Sequence, residues 1–260
     1  MDKATVIGLI LGWASVVACG WLEGSEAKAF IMLPGFILVF GGTFGAAIAG
    51  ITMKEFAELP KKLKKAFSGG GSDYVATITQ LLDFAARARR DGILALEDAV
   101  ESLKDPFMKK GFQLAIDGTD GDSIAEILDL EVAAVKRWYK EGEDFCKQLG
   151  GYGPTLGIIG TVMGLISMLS NLSNAEGMGP AIASAFIATM YGISSANLIY
   201  LPLGAKMKNA AERDLLGKRL VMDAVLSIQS GAAPRIVERR LYALIGEEKE
   251  EEAGGAAAAQ

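Results

Sequence analysis

The stretch "GYGPTLGIIGTVMGL", residues 151–165, decides the fold of this chain. It does not match a phosphate-binding loop, because no lysine follows its glycines as the Gly-x-x-x-x-Gly-Lys-Ser/Thr pattern requires. If the stretch is helical, intervals of four, three and four residues place four glycines on one face: Gly153, Gly157, Gly160 and Gly164. Small residues on one face let two helices approach closely in lipid. The stretch therefore predicts a membrane helix with a close-packing face.

The stretch lies in one of four windows that contain no Asp, Glu, Lys or Arg: residues 4–22, 29–53, 148–175 and 177–205. A helix needs about 20 mostly apolar residues to cross the hydrocarbon core of a bilayer. We predict an all-α membrane protein with four transmembrane helices, at residues 4–22, 30–51, 153–172 and 181–203. One alternative, four buried helices of a soluble protein, fits poorly because four such windows rarely arise in a soluble core. A signal peptide at the N-terminus fits less well, because a second apolar run follows the first.

The composition excludes several classes of function. The chain has no histidine, which rules out Ser-His-Asp and Cys-His nucleophiles and all histidine metal sites. Its two cysteines, Cys19 and Cys146, do not indicate a disulfide framework or a cysteine-rich metal site. The net charge of −5 does not favour nucleic acid as a partner, while a mean hydropathy of +0.31 fits a membrane protein.

The lysine distribution predicts the topology. Lysines follow the second span (Lys54, Lys61, Lys62, Lys64 and Lys65) and the fourth span (Lys206 and Lys208). By the positive-inside rule both of these exits are cytoplasmic, so both termini are cytoplasmic and the two short links face outward. The predicted organisation is a helix pair at 1–53, a cytoplasmic helical domain at 54–147, a second helix pair at 148–205, cytoplasmic helices at 206–245 and a disordered acidic and alanine-rich tail at 246–260.

The sequence of the cytoplasmic insert predicts helices separated by breaks. "SGGGS" at 68–72 predicts a flexible break, and Asp91-Gly92 interrupts the next helical stripe. Pro106 suits the first turn of another helix. Ser123 is expected to cap a long helix over residues 124–148, which runs on into the third span.

Small and polar residues mark the last two spans. Span four repeats the spacing of span three with Ala181, Ala185, Ala188, Gly192 and Ser195. Thr161 and Thr189 lie inside the spans, and Pro154 and Pro202 lie near their ends. Threonine hydroxyls, and backbone carbonyls freed by proline, can both ligate an ion. The alternative is that the threonines bond back to their own helices and the prolines only shape helix ends.

No acidic residue lies inside any predicted span. Proton and cation pathways through membranes normally need an intramembrane carboxylate. If this chain handles an ion, the carboxylate must come from another chain, so we predict a subunit that surrounds a partner helix.

Taken together, these features resemble the MotA/PomA family, the larger subunit of the bacterial flagellar stator. The resemblance covers nearly all of residues 1–245 and rests on six stretches: "MDKATVIGLILG", "ILVFGGTFGA", "ARARRDGILALEDAVE", "GYGPTLGIIGTVMGLISMLSNL", "AIASAFIATMYGISSANLIYLPLGAKM" and "LVMDAVLSIQSGAAPRIVERRL". It implies that five copies surround the single transmembrane helices of two MotB/PomB-like subunits in the inner membrane. Each partner brings an intramembrane aspartate and a periplasmic peptidoglycan-binding domain. Cation flow past that aspartate then turns the ring, and the cytoplasmic insert drives the flagellar rotor.

The resemblance also assigns roles to individual residues. Arg89 and Glu97 match the charged pair that contacts the rotor switch protein, and Arg90 matches a neighbouring basic position. Without the resemblance, the pattern of these charged residues indicates only a helix face exposed to solvent. Pro154 and Pro202 match the two prolines that couple ion flow to conformational change. Thr161 and Thr189 match polar positions that line the ion path.

The ion is either sodium or a proton, and no other cofactor is implied. Thr161 resembles the sodium-type members, since hard cations favour oxygen ligands. Ala188 stands where those members often have a second threonine, and Met32 stands where they often carry an aspartate. On balance the sequence predicts sodium, with protons as the alternative.

Three other functions fit the sequence less well than a stator subunit. An energiser of the ExbB/TolQ type transmits proton motive force to the outer membrane, but typically has three spans. A membrane enzyme is disfavoured by the absence of histidine, of an acid pair in a span and of a nucleotide motif. A passive scaffold would share the small-residue faces but would have no use for Thr161, Thr189 and the two prolines together.

Overall fold

The computed structural model describes residues 3–24, 30–67, 73–170 and 175–246. These residues form eleven α-helices: α1 Lys3–Leu22, α2 Leu33–Phe36, α3 Gly42–Ala49, α4 Met53–Phe67, α5 Tyr74–Asp91, α6 Glu97–Glu101, α7 Pro106–Ile116, α8 Gly121–Ser170, α9 Ala175–Ser195, α10 Leu201–Gln229 and α11 Pro234–Ile245. The described part of the chain contains no β-strand, as predicted. The predicted break at 68–72 and the tail beyond residue 246 lie outside the described residues.

The described helices are compatible with the predicted spans. Three apolar stretches are long enough to cross a membrane: Ala4–Leu22, a part of Gly121–Ser170 and a part of Gly177–Gln229. A fourth span results if Leu33–Ala49 and Met53–Phe67, which meet at an angle of 115°, count as one broken span. Large apolar side chains such as Ile10 and Val17 of α1 point outward, as expected of a surface in contact with lipid or other apolar groups.

Two compact units make up the chain. The first unit comprises Met1–Gly69 and Trp138–Ala210, and the second comprises Gly70–Arg137 and Ala211–Gln260. Residues 54–69 and 138–147 thus belong to the first unit by their contacts. The predicted functional division, with a rotor-contacting domain at 54–147, stays a prediction.

The long helix α8 runs without a break from Gly121 to Ser170, so the insert's last helix does continue into the predicted third span. The predicted cap was wrong by three residues. Asp120, and not Ser123, caps the helix, because an Asp120 side-chain oxygen accepts the Ser123 backbone N–H at 2.9 Å. The hydrogen bonds from Ser123 lower the pKa of the Asp120 carboxyl. A carboxylate at this position also complements the positive end of the helix dipole.

Two π-helical turns interrupt the apolar helices of the first unit. The turn Ile37–Gly41 separates α2 from α3, and the turn Ala196–Tyr200 separates α9 from α10. The second turn has a local cause in Pro202. A proline has no N–H, and its ring crowds the carbonyl four residues earlier, here that of Leu198. The wider π turn relieves this crowding while the helix continues.

In the second unit, the predicted breaks occur at the predicted residues. Helix α5 ends at Asp91, and Gly92 adopts φ +86°, a conformation that L side chains rarely take. Pro106 opens α7, where the Asp105 side chain caps the N–H of Phe107 at 2.8 Å. The unit's core packs Phe84 of α5 edge-on against Phe112 of α7.

The hydroxyl of Tyr191 in α9 holds the chain where α2 begins. It accepts the backbone N–H of Met32 at 3.1 Å and donates to the backbone carbonyl of Phe30. Backbone groups in an apolar environment must be paired, because an unpaired group costs about 1–3 kcal/mol. The ring of Tyr191 also packs edge-on against Phe36.

Tyr191→Phe is therefore expected to destabilise the protein by about 1–3 kcal/mol, because two backbone groups lose their partner. The purified protein in detergent should show a lower thermal midpoint. Tyr152→Phe is the matched control, since Tyr152 lies exposed on α8. An equal thermal midpoint for Tyr191→Phe and Tyr152→Phe would contradict the assigned role of the hydroxyl.

Candidate functional site

The glycine face of α8 lies directly against α9. A Cβ atom added to any of four glycines would meet an atom of α9 at 2.6–3.1 Å: Gly153, Gly157, Gly160 and Gly164. The shortest distance of this kind is found for a glycine of α9. A Cβ atom added to Gly192 would lie 2.4 Å from the carbonyl oxygen of Gly153. Because the contacts at Gly157 and Gly192 are with backbone, the two helices touch main chain to main chain there, and no larger residue fits without separating them.

The close approach brings Thr161 of α8 and Thr189 of α9 together. Their hydroxyl groups are in direct hydrogen-bond contact with each other. The Thr161 hydroxyl also lies 3.2 Å from the Gly157 carbonyl oxygen and 3.1 Å from that of Ala185. The Thr189 hydroxyl lies 3.2 Å from the same Gly157 oxygen. Two hydroxyl and two carbonyl oxygens therefore converge between the helices.

The hydrogen bonds of the two threonines run both within one helix and between the two helices. The bond from Thr161 to Gly157 is a bond back to its own helix, while the bonds to Ala185 and from Thr189 to Gly157 join the two helices. Oxygen atoms of this kind suit a hard cation. All four oxygens are uncharged, and no acidic residue lies in the apolar stretches of α8 and α9 around them.

Pro154 and Pro202 flank the cluster in sequence, and both are half-buried. Pro154 lies inside α8, one residue after Gly153, and leaves the carbonyl of Gly150 without its usual helical N–H donor. Pro202 lies in the first turn of α10, directly after the π turn. Both prolines thus loosen the backbone near the ends of the close-packed segment, which is where helices bend most readily.

The charged residues singled out by the resemblance lie in the second unit, on either side of the turn that begins at Gly92. Arg89, Arg90 and Glu97 are all exposed. The Arg89 guanidinium donates to the Gly231 carbonyl at 2.9 Å, so this side chain has a partner of its own. Arg90 donates to both carboxylate oxygens of Asp91 at 3.0 Å and thereby lowers the pKa of that carboxyl.

The structure also contains a buried ion pair that was not predicted from the sequence. Lys62 of α4 is fully buried and lies 2.6 Å from the Glu141 carboxylate. The inward position of Lys62 could have been predicted, because Lys62 falls on the same helical stripe as the buried residues Leu59 and Ala66.

The described residues contain neither a cluster of the usual metal-ligating side chains nor an activated thiol. No group of three or more His, Cys, Asp or Glu side chains among them could hold a metal ion. Burial raises the pKa of the Cys146 thiol to about 11, so this thiol stays protonated near neutral pH and is a poor nucleophile.

The chain matches a known family along most of its length. Residues 99–219 match the sequence model of the MotA/TolQ/ExbB proton channel family. The chemotaxis protein PomA of Vibrio alginolyticus is 33% identical over 249 residues, which cover 96% of this chain and 97% of PomA. A chain in the solved structure of C. jejuni MotAB is 31% identical, with a TM-score of 0.90 and coverage of 96% of this chain and 98% of that one.

The flagellar MotAB stator complex of Bacillus subtilis gives a similar result, with 31% identity, a TM-score of 0.86 and coverage of 92% of this chain and 94% of the matched chain. The match is thus present in sequence and in fold. This chain belongs to the MotA/PomA family of flagellar motor stator subunits, within the wider MotA/TolQ/ExbB proton channel family.

Proposed function

We propose that this stator subunit, together with a MotB/PomB-like partner, forms a cation channel that converts ion flow into ring rotation and torque on the flagellar rotor. The oxygen cluster at Thr161 and Thr189 is the observation that carries this proposal. It presents cation ligands inside an apolar helix pair but has no charge of its own. PomA and the two MotAB structures favour the stator over an ExbB/TolQ-like energiser.

The proposed assembly is a homopentamer around two partner subunits, in the bacterial inner membrane with four spans and cytoplasmic termini. Supporting it, large apolar side chains lie exposed next to the glycine face, among them Ile158, Val162 and Phe186. In the membrane such side chains face lipid, other copies or a partner helix. The mass of the purified complex should correspond to five copies of this chain with two of the partner. A stable monomer or dimer would contradict the ring.

The proposed partner supplies the intramembrane aspartate that the spans lack. We propose sodium as the transported ion, because four oxygens converge at the threonine pair and hard cations favour oxygen ligands. Protons are the alternative, which Ala188 and Met32 favour. Swimming speed measured against sodium concentration at fixed pH separates the two.

The proposed rotor-contacting residues are Arg89, Arg90 and Glu97. Two observations support this assignment: the three side chains are exposed, and they lie on both sides of one turn. We expect Arg89→Glu or Glu97→Lys to reduce torque at high load several-fold, because exposed charges of one protein guide and hold a charged partner. Membrane abundance should stay unchanged, because exposed substitutions rarely shift stability by more than about 0.5 kcal/mol.

Two further variants separate a rotor role of Arg89 from its bond to Gly231. Arg89→Gln keeps an N–H donor and loses the charge, so it should also reduce torque. Arg87→Glu is the matched control, because Arg87 is an exposed arginine of the same helix that pairs with Asp83 at 2.9 Å. Full torque in both Arg89→Glu and Glu97→Lys would count against a rotor contact at this turn.

A further inference from the structure

The chain bends sharply where helix α4 leaves the end of the second predicted span. The axes of Leu33–Ala49 and Met53–Phe67 meet at 115°. A reciprocal cap holds this bend, since Thr52 N–H donates to a Glu55 carboxylate oxygen at 2.7 Å and Glu55 N–H donates to the Thr52 hydroxyl at 3.3 Å. If residues 30–51 alone form the second span, as predicted, α4 is not part of that span but turns away from its axis toward the plane of the membrane surface, at the level where the apolar span ends.

The inner face of α4 is fixed by contacts with α8. Leu59 shares a buried cluster with Phe145, and the fully buried Lys62 lies 2.6 Å from the Glu141 carboxylate. The Lys62 ammonium also lies 3.7 Å from Glu58 on its own helix. A buried charge needs its partner in place, so this ion pair fixes the rotation of α4 about its axis.

That rotation leaves a basic face pointing outward. Lys54, Lys61 and Lys64 are exposed, and the apolar residues between them on this face, Met53, Ala57 and Pro60, are exposed as well. A helix with apolar bodies and lysine tips on one side is typical of the headgroup region of a membrane. The exposed side of α4 is thus positively charged next to the end of an apolar helix.

We infer that α4 is a lipid-binding helix, whose Lys54, Lys61 and Lys64 bind the phosphate groups of anionic phospholipids in the cytoplasmic leaflet. The inference rests on the membrane topology in the proposed function. Basic residues beside a membrane span attract anionic lipid, and the attraction falls off within a Debye length. The surface is an extended stripe and not a pocket, so it selects lipid charge more than headgroup shape.

The test uses the full complex of this chain and its partner in vesicles of phosphatidylcholine with a trace of spin-labelled phosphatidylglycerol or phosphatidylcholine. The fraction of immobilised label gives the relative association constant of the two lipids. We expect wild type to prefer phosphatidylglycerol, and the triple variant Lys54→Gln, Lys61→Gln, Lys64→Gln to lose most of this preference, about ten-fold. Replacement of the same three lysines by arginine should retain it.

A second triple variant controls for charge alone. It replaces three exposed lysines of the second unit by glutamine: Lys104, Lys110 and Lys136. A preference for phosphatidylglycerol that survives in the α4 variant, or that falls equally in the control, would overturn the inference. So would a changed mass of the complex with unchanged lipid preference, which would assign the basic face to a neighbouring subunit. The measurement involves no motor and no ion gradient. A result that overturns the lipid-binding inference therefore does not contradict the proposed stator function.

Discussion

Gly192→Ala is expected to abolish motility. The new Cβ would lie 2.4 Å from the carbonyl oxygen of Gly153, 3.0 Å from its carbonyl carbon and 3.2 Å from the Cα of Gly157. All three neighbours are backbone atoms, so no side chain can move aside and the two helices must separate. Overpacking costs typically about 1–3 kcal/mol and more where the surroundings cannot adjust. We expect this site to lie at the upper end of that range.

The separation should also disturb the oxygen cluster, because the Thr161 and Thr189 hydroxyls meet only while the helices touch. Gly45→Ala is the matched control. It makes the same substitution in α3, where a Cβ would meet nothing within 4 Å. An alanine there should be neutral or stabilise the helix by up to about 1 kcal/mol. Normal swimming and an unchanged thermal midpoint in Gly192→Ala would show that the close contact between α8 and α9 is not needed.

The double variant Thr161→Val, Thr189→Val is expected to impair ion-driven rotation without disrupting the packing. Valine has nearly the shape of threonine, so the helices can stay in contact while both hydroxyl groups are lost. The Gly157 and Ala185 carbonyls would remain. If sodium is the ion, the sodium concentration for half-maximal speed should rise ten-fold or more, since losing a bond to a charged group costs about 1.5–3 kcal/mol.

Thr155→Val is the control for this pair. Thr155 lies exposed in the same helix, where its hydroxyl donates to the Tyr152 carbonyl at 2.8 Å. Its loss should leave the sodium response unchanged. Speed that does not depend on sodium in wild type or in the double variant would argue for protons. Wild-type speed and sodium response in the double variant would show that the two hydroxyls do not take part.

The glycine face illustrates how much the sequence could predict. Helical periodicity alone places Gly153, Gly157, Gly160 and Gly164 on one side of α8, because that property depends on one helix. Which side chains meet across the contact depends on the register of α8 against α9. The contact between Thr161 and Thr189 therefore required the structure, although each threonine was singled out from the sequence.

Helix α4 illustrates the other limit. The lysines after the second span predict a cytoplasmic exit there, but they do not predict the direction of the chain beyond it. The reciprocal cap between Thr52 and Glu55 fixes where α4 begins and could be predicted from the sequence, but the direction of α4 required the structure. The stripe shared with Leu59 and Ala66 indicates that Lys62 faces inward, but the identity of its partner Glu141, far along the chain, required the structure. The π turns were not predicted, because one wider turn hardly changes the pattern of apolar residues over a whole span.

The most direct test of the stator function is rotation in cells that lack their own stator. These cells would receive this chain together with its MotB-like partner, and the speed of single tethered motors would be followed over time. We predict that rotation returns in equal steps as complexes join the motor, and that no steps appear with Gly192→Ala. Motors that stay still under both sodium and proton gradients, although the complex is present in the membrane at normal levels, would contradict the account.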